Sequence, residues 1–498
     1  MSWKSVTLGL LLACFGTVGT GQAVFGQGSG NFLKTFQASL VYIETAEYGY
    51  DQLRPWRRKD LVENRFYGVV VSDHQVLTTA YGVTDAASIN VRRYDHNALL
   101  PATIHTVDYD SNLCLLDLDR STLGGSLKPV RFREEFSEGE EVAFYWLSTQ
   151  GRLYSGRGYA DHVRVMRSML SHAKFLHYVV SNTSRRTSDG QLYCHGAEAI
   201  GLACWSSENN ECGLIPAGVI NRFLADAADG DYEGFAAAGF TVAPLLDPTR
   251  RRVLHLPAGE QAGVYVKDVY TLGTGSEELQ TQDVILAIDG QRLNAYGQYE
   301  HRQFKRIGFD HLITGKPVGE SIVFDIWRQG QAQRLEVVAQ PIAAASMLIP
   351  FYAFDRQPEY IVTGGFLLQK LTRPYLTGWG DDWQGIVPPN LFQYYQNVSF
   401  KPTPERQDIV LLSYVLPTEE NQGYQQLRRL VVKSFNGMEI ASIGDIQAAQ
   451  RLNPDDAFDV IEFENDQPTL VIDRAGRGQT DALVRQRYGV EPLVHIEP

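Results

Sequence analysis

Gly68-Val69-Val70-Val71, followed by Gln75-Val76-Leu77-Thr78-Thr79-Ala80-Tyr81-Gly82-Val83, is the stretch that decides the fold. Two runs rich in β-branched residues flank the polar turn Ser72-Asp73-His74. Runs of this kind, bounded by Gly, Asp, Ser and Asn, read as short strands joined by tight connections. Leu113-Cys114-Leu115-Leu116 is another, and the texture extends from residue 38 to about residue 226. Many short strands over about 190 residues predict a β-barrel or sandwich class. The strong helical pattern comes at the end of this part, over residues 216–227. Pro216 opens it, and Val219, Ile220, Phe223 and Leu224 share one face.

Beyond about residue 230 the pattern changes. Val264-Tyr265-Val266, Val284-Ile285-Leu286-Ala287-Ile288, Ser321-Ile322-Val323-Phe324 and Leu335-Glu336-Val337-Val338 alternate with polar turns, and Asp289-Gly290 is a hairpin signal. Residues 340–346 read as a linker. A further unit over about residues 348–490 contains Asp408-Ile409-Val410-Leu411-Leu412, Leu430-Val431-Val432, the turn Asn436-Gly437 and a helix near residues 443–452. Phe435-Asn436-Gly437 echoes Ile288-Asp289-Gly290, which suggests that the two C-terminal units share a fold.

A chain of 498 residues accommodates about three domains at roughly 100–200 residues each. Its 44% hydrophobic and 21% charged residues are ordinary for globular protein. A net charge of -13 lacks the basic footprint that nucleic-acid binding requires. At the N-terminus, Lys4 and the short apolar run over residues 6–15 precede small residues, the pattern of a secretory signal rather than a spanning helix. Cleavage is expected near Ala23 or Gly26. Alternatively, Leu11-Leu12-Ala13-Cys14 resembles a lipobox, with Cys14 as the lipidated residue. The protein is therefore expected to be exported, to the periplasm or cell envelope, with residues 1–26 removed. An exported chain can keep disulfides. Cys204 and Cys212 flank a polar loop, so a cross-hairpin disulfide and two buried thiols both remain open. There is no C-x-x-C pair and no zinc-like His/Cys spacing, so neither metal nor cofactor is implied.

Taken in order, these segments resemble the HtrA/Deg (protease Do-like) family of serine endopeptidases. Residues 68–83 are similar to the family's G-x-V-I…I-L-T-N-x-H-V-V, and Ser111-Asn112-Leu113-Cys114-Leu115-Leu116 to its C/T-D-L-A-x-L. Thr187-Ser188-Asp189-Gly190-Gln191-Leu192 lies where the family has N-S-G-G-P, followed by Ala197-Glu198-Ala199-Ile200-Gly201 and Leu214-Ile215-Pro216. Tyr232-Glu233-Gly234-Phe235 resembles the PDZ carboxylate-binding loop, and the segment from Asp283 to Gly290 the most recognisable PDZ strand. Arg306-Ile307-Gly308-Phe309-Asp310-His311-Leu312, Pro374-Tyr375-Leu376…Trp383 and Phe435-Asn436-Gly437 point to the plant-type branch with two PDZ domains. The resemblance implies a mainly β protein. A trypsin-like double β-barrel over residues 31–228 is followed by two PDZ-like α/β domains, over 230–342 and 348–491.

The resemblance also places the chemistry. Hydrolysis in this family needs a Ser nucleophile, a His base and an Asp that orients the imidazole. Ser188 matches the first, but the His position is Tyr81 and the Asp position is Asn112. A phenol with pKa about 10 is a poor acceptor for a serine proton at neutral pH. Loss of the Asp alone costs about 10⁴ in rate, and loss of the His about 10⁶. Arg186 and Asp189 replace oxyanion-loop glycines, and a carboxylate at 189 opposes a developing oxyanion. The expectation is a pseudoprotease, with Tyr81 packed into the old cleft and Ser188 a surface-loop residue. The alternative is an active serine endopeptidase in which His172, His177 or His195 replaces the missing base.

Binding needs no catalytic residue. A PDZ domain adds a peptide strand to its sheet edge and holds the C-terminal carboxylate in a nest of backbone N–H groups. Tyr232, Glu233, Gly234 and Phe235 are the expected nest, with Phe235 and Leu312 lining an apolar pocket. The partners implied are polypeptide C-termini or unfolded proteins, and active Deg proteases. Oligomerisation, as a trimer or larger, follows from the resemblance only, with Phe32 and Phe36 as candidate assembly aromatics.

Overall fold

The computed structural model describes residues 34–497, apart from 95, 97, 122, 124–126, 184–186, 258–261 and 466. The signal segment, Cys14, Phe32 and Arg186 lie outside the described residues. Strands β1 (Leu40–Glu47), β2 (Val62–Val70), β3 (Gln75–Thr79), β4 (Ala86–Arg93), β5 (Leu100–Asp108) and β6 (Leu113–Leu118) close into a barrel, in the order β1-β2-β3-β6-β5-β4. A second barrel is formed by β7 (Glu141–Leu147), β8 (Leu153–Arg167), β9 (Lys174–Asn182), β10 (Leu192–His195), β11 (Glu198–Ser206) and β12 (Glu211–Pro216), in the order β10-β11-β12-β9-β8-β7. This is the expected trypsin-like double barrel.

The apolar runs are continuous rather than alternating because both faces of these strands are covered. Val41 and Ile43 point into the first barrel, while Leu40 and Tyr42 join the core shared with the second. In the same way Val76, Cys114 and Leu116 fill the first barrel, while Leu77, Leu113 and Leu115 fill the interface. Each such side chain contributes roughly 1.5–3 kcal/mol of transfer free energy, so the interface is strongly held. The helix Ala217–Asp226 seats Ala217, Ile220 and Phe223 in that shared core, on the face read from the sequence. Phe36 is buried against Tyr145 of its own chain, with ring centroids 5.2 Å apart. That ring is therefore occupied within the protomer.

The third unit contains β13 (Phe240–Ala243), β14 (Val264–Val269), β15 (Val284–Ile288), β16 (Gln291–Arg292), β17 (Gln298–His301), β18 (Lys305–Gly308), β19 (Ser321–Arg328) and β20 (Gln331–Val338). Its sheet runs β13-β14-β15-β19-β20. The fourth contains β21 (Tyr360–Thr363), β22 (Phe366–Lys370), β23 (Val410–Val415), β24 (Leu430–Phe435), β25 (Met438–Glu439), β26 (Phe458–Phe463), β27 (Leu470–Asp473) and β28 (Val494–His495), ordered β27-β26-β24-β23-β22-β21-β28.

The weak sequence repeat is a structural one. Asp289-Gly290 and Asn436-Gly437 both turn with positive φ at both residues, as a two-residue hairpin of this hand requires. Each turn then docks on the next long strand. Asp289 donates its N–H to Val323 O (2.7 Å) and accepts from Val323 N (2.8 Å). Asn436 donates its N–H to Val460 O (2.8 Å) and accepts from Val460 N (2.8 Å).

One expectation is corrected. The helix near residues 443–452 is only Asp445–Ala449, while a fifteen-residue helix, Arg474–Tyr488, went unread. It is polar and carries Gly476 and Gly478 in its first turns, burying only Thr480 and Val484. Of the two open readings of Cys204 and Cys212, the structure holds free thiols, and Cys114, Cys194, Cys204 and Cys212 are all buried. Cys212 lies opposite Ser206, and Cys204 and Cys212 point into different cores. We expect iodoacetamide, added in denaturant without reductant, to label Cys204 and Cys212 in every molecule. A peptide pair linked through the two would contradict the register.

Candidate active-site and peptide-binding loops

β3 delivers Tyr81 on a short 3₁₀ turn, Ala80–Val83, anchored by buried Ala80 and Val83. Asn112 sits between β5 and β6 with φ +60°, a left-handed conformation that Asn tolerates better than most residues. Its side-chain Oδ1 accepts from Tyr81 N (2.8 Å), and its carbonyl accepts from Ala80 N (3.1 Å). Asn112 therefore positions the backbone that carries Tyr81. With no imidazole at position 81, no cation needs balancing, and a neutral amide makes the same backbone bond as a carboxylate. Tyr81 is 50% exposed, so it does not fill a cleft as expected.

Ser188 is exposed between β9 and β10. Its N–H donates to Gln191 Oε1 (3.1 Å), and its carbonyl accepts from Gln191 N (3.4 Å). The backbone donor that would meet an oxyanion is thus occupied by a side chain of the same loop. Gly190 has φ +76°, and a Cβ there would lie 1.8 Å from Tyr67 O, so only glycine fits. The Asp189 carbonyl accepts from Tyr67 N (3.1 Å), and burial pushes its carboxyl up to about 7.

The three candidate histidines are not bonded to Ser188. His172 stacks between Phe351 and Phe400, at 5.8 and 5.0 Å, and neither ring nitrogen has a partner among the described residues. Burial, then the Arg167 charge, pushes it down to about 3. His177 Nδ1 is 3.0 Å from Phe175 O, and burial pushes it down to about 4. His195 Nδ1 pairs with Glu140 at 2.9 Å.

The loop over residues 232–235 is tied down throughout. Glu233 N and Gly234 N donate to the two Asp226 carboxylate oxygens, at 3.2 and 2.8 Å. A carboxylate from the end of the preceding helix thus occupies donors that a peptide terminus would use. Tyr232 donates its hydroxyl to Asp108 (2.7 Å). Phe235 is buried edge-on to Phe175 and under the Arg222 guanidinium, whereas Leu312 belongs to a different core, so the two do not form one pocket. β13 is an edge strand, open in principle to strand addition. Beside it the helix Asp310–Thr314 is clamped to the second barrel by Lys174–Asp310 (3.0 Å) and by Arg222 bonding to Thr314 O (2.5 Å). In the fourth unit both edges of β22 are already paired, with β21 and β23.

A PDZ-domain family profile matches residues 349–492. Over 81% of this chain and 75% of the relative, it is 25% identical to Protease Do-like 4, mitochondrial, of Arabidopsis thaliana. It is 24% identical to Protease Do-like 2, chloroplastic, of the same plant, over 92% and 74% of the two chains. Its homologues are Do-like and DegP proteins. Among solved structures, the HtrA-type protease AlgW with decapeptide aligns over 63% of this chain and 99% of that one, at 18% identity and a TM-score of 0.47.

A feature that the sequence motifs do not mark is acidic. Asp108, buried at the end of β5, and Asp110, half-buried in the turn that follows, lie four and two residues before Asn112. Asp108 accepts from Tyr232, from Ser111 Oγ (2.8 Å) and from Asp110 N (2.8 Å). Asp110 Oδ1 is buried with no partner, and desolvation, then the Asp108 charge, pushes Asp110 up to about 7. A carboxyl raised on folding stabilises the fold most below its unfolded pKa of about 4, and that contribution is lost as pH rises through about 7. We expect Asp110→Asn to raise stability at pH 8 by about 2–4 kcal/mol and to change it little at pH 4. Thermal unfolding at both pH values checks this, and an equal effect at both would reject a buried, raised carboxyl.

Proposed function

We propose that this chain is an exported HtrA-type protein that no longer hydrolyses peptide bonds and acts by binding polypeptide, as a scaffold or a partner of active Do-like proteases. Its parts would be a secretory segment over residues 1–26, a protease-like domain over 31–228 and two PDZ domains over 230–342 and 348–491. The observation that carries this reading is the coupling of Tyr81 to Asn112. The Asp-position side chain serves only the backbone of a residue that cannot take the serine proton. The bond from Ser188 N to Gln191, and the absence among the described residues of a histidine bonded to Ser188, support it.

Casein degradation tests the catalytic half. We expect neither the mature protein nor Ser188→Ala to cleave unfolded casein. Cleavage by the parent that disappears in Ser188→Ala would establish an active endopeptidase with a replacement base.

The binding half centres on the loop over residues 232–235. Because Asp226 competes for its N–H groups, Asp226→Ala should bind a peptide with a free C-terminal carboxylate several-fold more tightly than the parent. The amidated peptide should be unaffected. Fluorescence anisotropy of a labelled peptide measures both, and equal binding by parent and variant would remove this loop as the receptor.

A further inference from the structure

The connection between β1 and β2 leaves the first barrel and lies against the fourth unit. Gln369 Nε2 donates to Gln52 O (3.1 Å), and Gln357 Nε2 donates to Pro55 O (2.9 Å). The Trp56 ring sits 6.1 Å from that of Tyr360. Between this loop and the β22–β23 face is a cleft of about 560 Å³. That lies within the roughly 300–1,000 Å³ of small-ligand sites.

Its floor is apolar and aromatic. Leu367 and Tyr414 are cross-strand partners and so share a face. Leu367 and Leu416 are buried beneath the cleft, while Tyr414 is 47% exposed at its side. Trp56 and Trp379 form walls. The indole N–H of Trp56 is a buried donor with no acceptor among the described residues.

Its rim is cationic and lacks counter-ions. Arg57, Arg428 and Arg429 line the opening, and none has a carboxylate partner among the described residues. Arg429 instead lies 4.8 Å over the Trp379 ring. Asp51 is the acid in the lining, and it is consumed within its own loop. It accepts from Leu53 N (2.9 Å), Arg54 N (3.2 Å) and Arg54 Nε (2.9 Å). In a chain of net charge -13, three guanidinium groups line one aromatic cleft whose acid, Asp51, is already paired with Arg54, a local reversal of sign. Guanidinium is the side chain best shaped for bidentate pairing with carboxylate, and the floor suits burial of an apolar body.

We propose that this cleft binds an apolar ligand ending in a carboxylate. The apolar part lies on Leu367, Leu416 and Tyr414, and the carboxylate meets Arg57 and Arg428. Two sources share that chemistry, the free C-terminus of a polypeptide and a long-chain or aryl carboxylic acid. The site depends neither on proteolysis nor on the loop over residues 232–235.

Calorimetric titration of the full mature chain tests it with three probes: dodecanoate, an acetylated pentapeptide ending in free phenylalanine, and the same pentapeptide amidated. We expect saturable binding of at least one free carboxylate and none of the amide. The double variant Arg57→Glu/Arg428→Glu should weaken that binding at least tenfold. Both residues are exposed, so the fold is expected to persist, and circular dichroism verifies it. Loss confined to dodecanoate assigns the site to free acids, and loss confined to the peptide assigns it to chain termini. Failure of both carboxylates to bind, or binding unchanged by the double variant, overturns the proposal. The casein assay and the Asp226→Ala comparison report separately on the proposed function, so the two readings fail independently.

Discussion

Tyr232 reaches Asp108 across 124 residues of chain, and the loop that receives it is the point on which the other units converge. Within residues 108–112, Asp108 holds the third unit through Tyr232. Tyr109 bonds to Asp355 and packs against Tyr352 and Phe354 of the segment leading into the fourth unit. Asp110 interacts with Ser171 of the second barrel, and Asn112 carries the backbone of Tyr81. Asp355 adds a reciprocal pair with Asp85, each backbone N–H donating to the other's carboxylate, at 2.7 and 2.8 Å. Asp108 is buried and Asp110 half-buried at this junction, with no cation bonded to either among the described residues. Such groups are tolerable only when hydrogen bonds replace their hydration, or when they stay protonated. Through Tyr232 and Asp355 the junction ties both C-terminal units to the first barrel.

A second theme is internal satisfaction. Gln191 occupies the N–H of Ser188, Asp226 occupies those of Glu233 and Gly234, and β21 occupies the free edge of β22. Buried or partly buried backbone donors must be paired with something, and a donor not committed to a ligand is paired within the chain. The two loops that resemble a catalytic and a peptide-binding element are each closed by a residue of this sequence. The 560 Å³ cleft beside Trp56 differs from them, since its guanidinium groups and its indole donor await partners.

At the contact between Tyr81 and Asn112 no imidazole needs orienting, and a neutral amide suffices to hold the backbone of Tyr81. The two carboxylates nearest to Asn112 in sequence, Asp108 and Asp110, point into the inter-unit junction.

Sequence alone determined the barrel class, because strands buried on both faces must read as unbroken apolar runs, and Leu40-Val41-Tyr42-Ile43 and Leu113-Cys114-Leu115-Leu116 do so. It determined the repeat of the hairpin turns, since Asp-Gly and Asn-Gly meet a local steric requirement that needs no distant partner. The order of short motifs singled out Ser188, Tyr81 and Asn112, of which the structure bonds Tyr81 to Asn112. It could not reveal the helix Arg474–Tyr488, whose stability comes from two buried residues and an Asp473 cap rather than from a regular apolar stripe. Nor could it show that Cys204 and Cys212 face different cores, that Asp226 fills the 232–235 loop, or that Tyr232 meets Asp108 and Tyr109 meets Asp355. Those outcomes depend on strand register, on a helix end and on how the units pack. Each is a contact between side chains and backbone that periodicity does not encode, which tertiary structure alone decides.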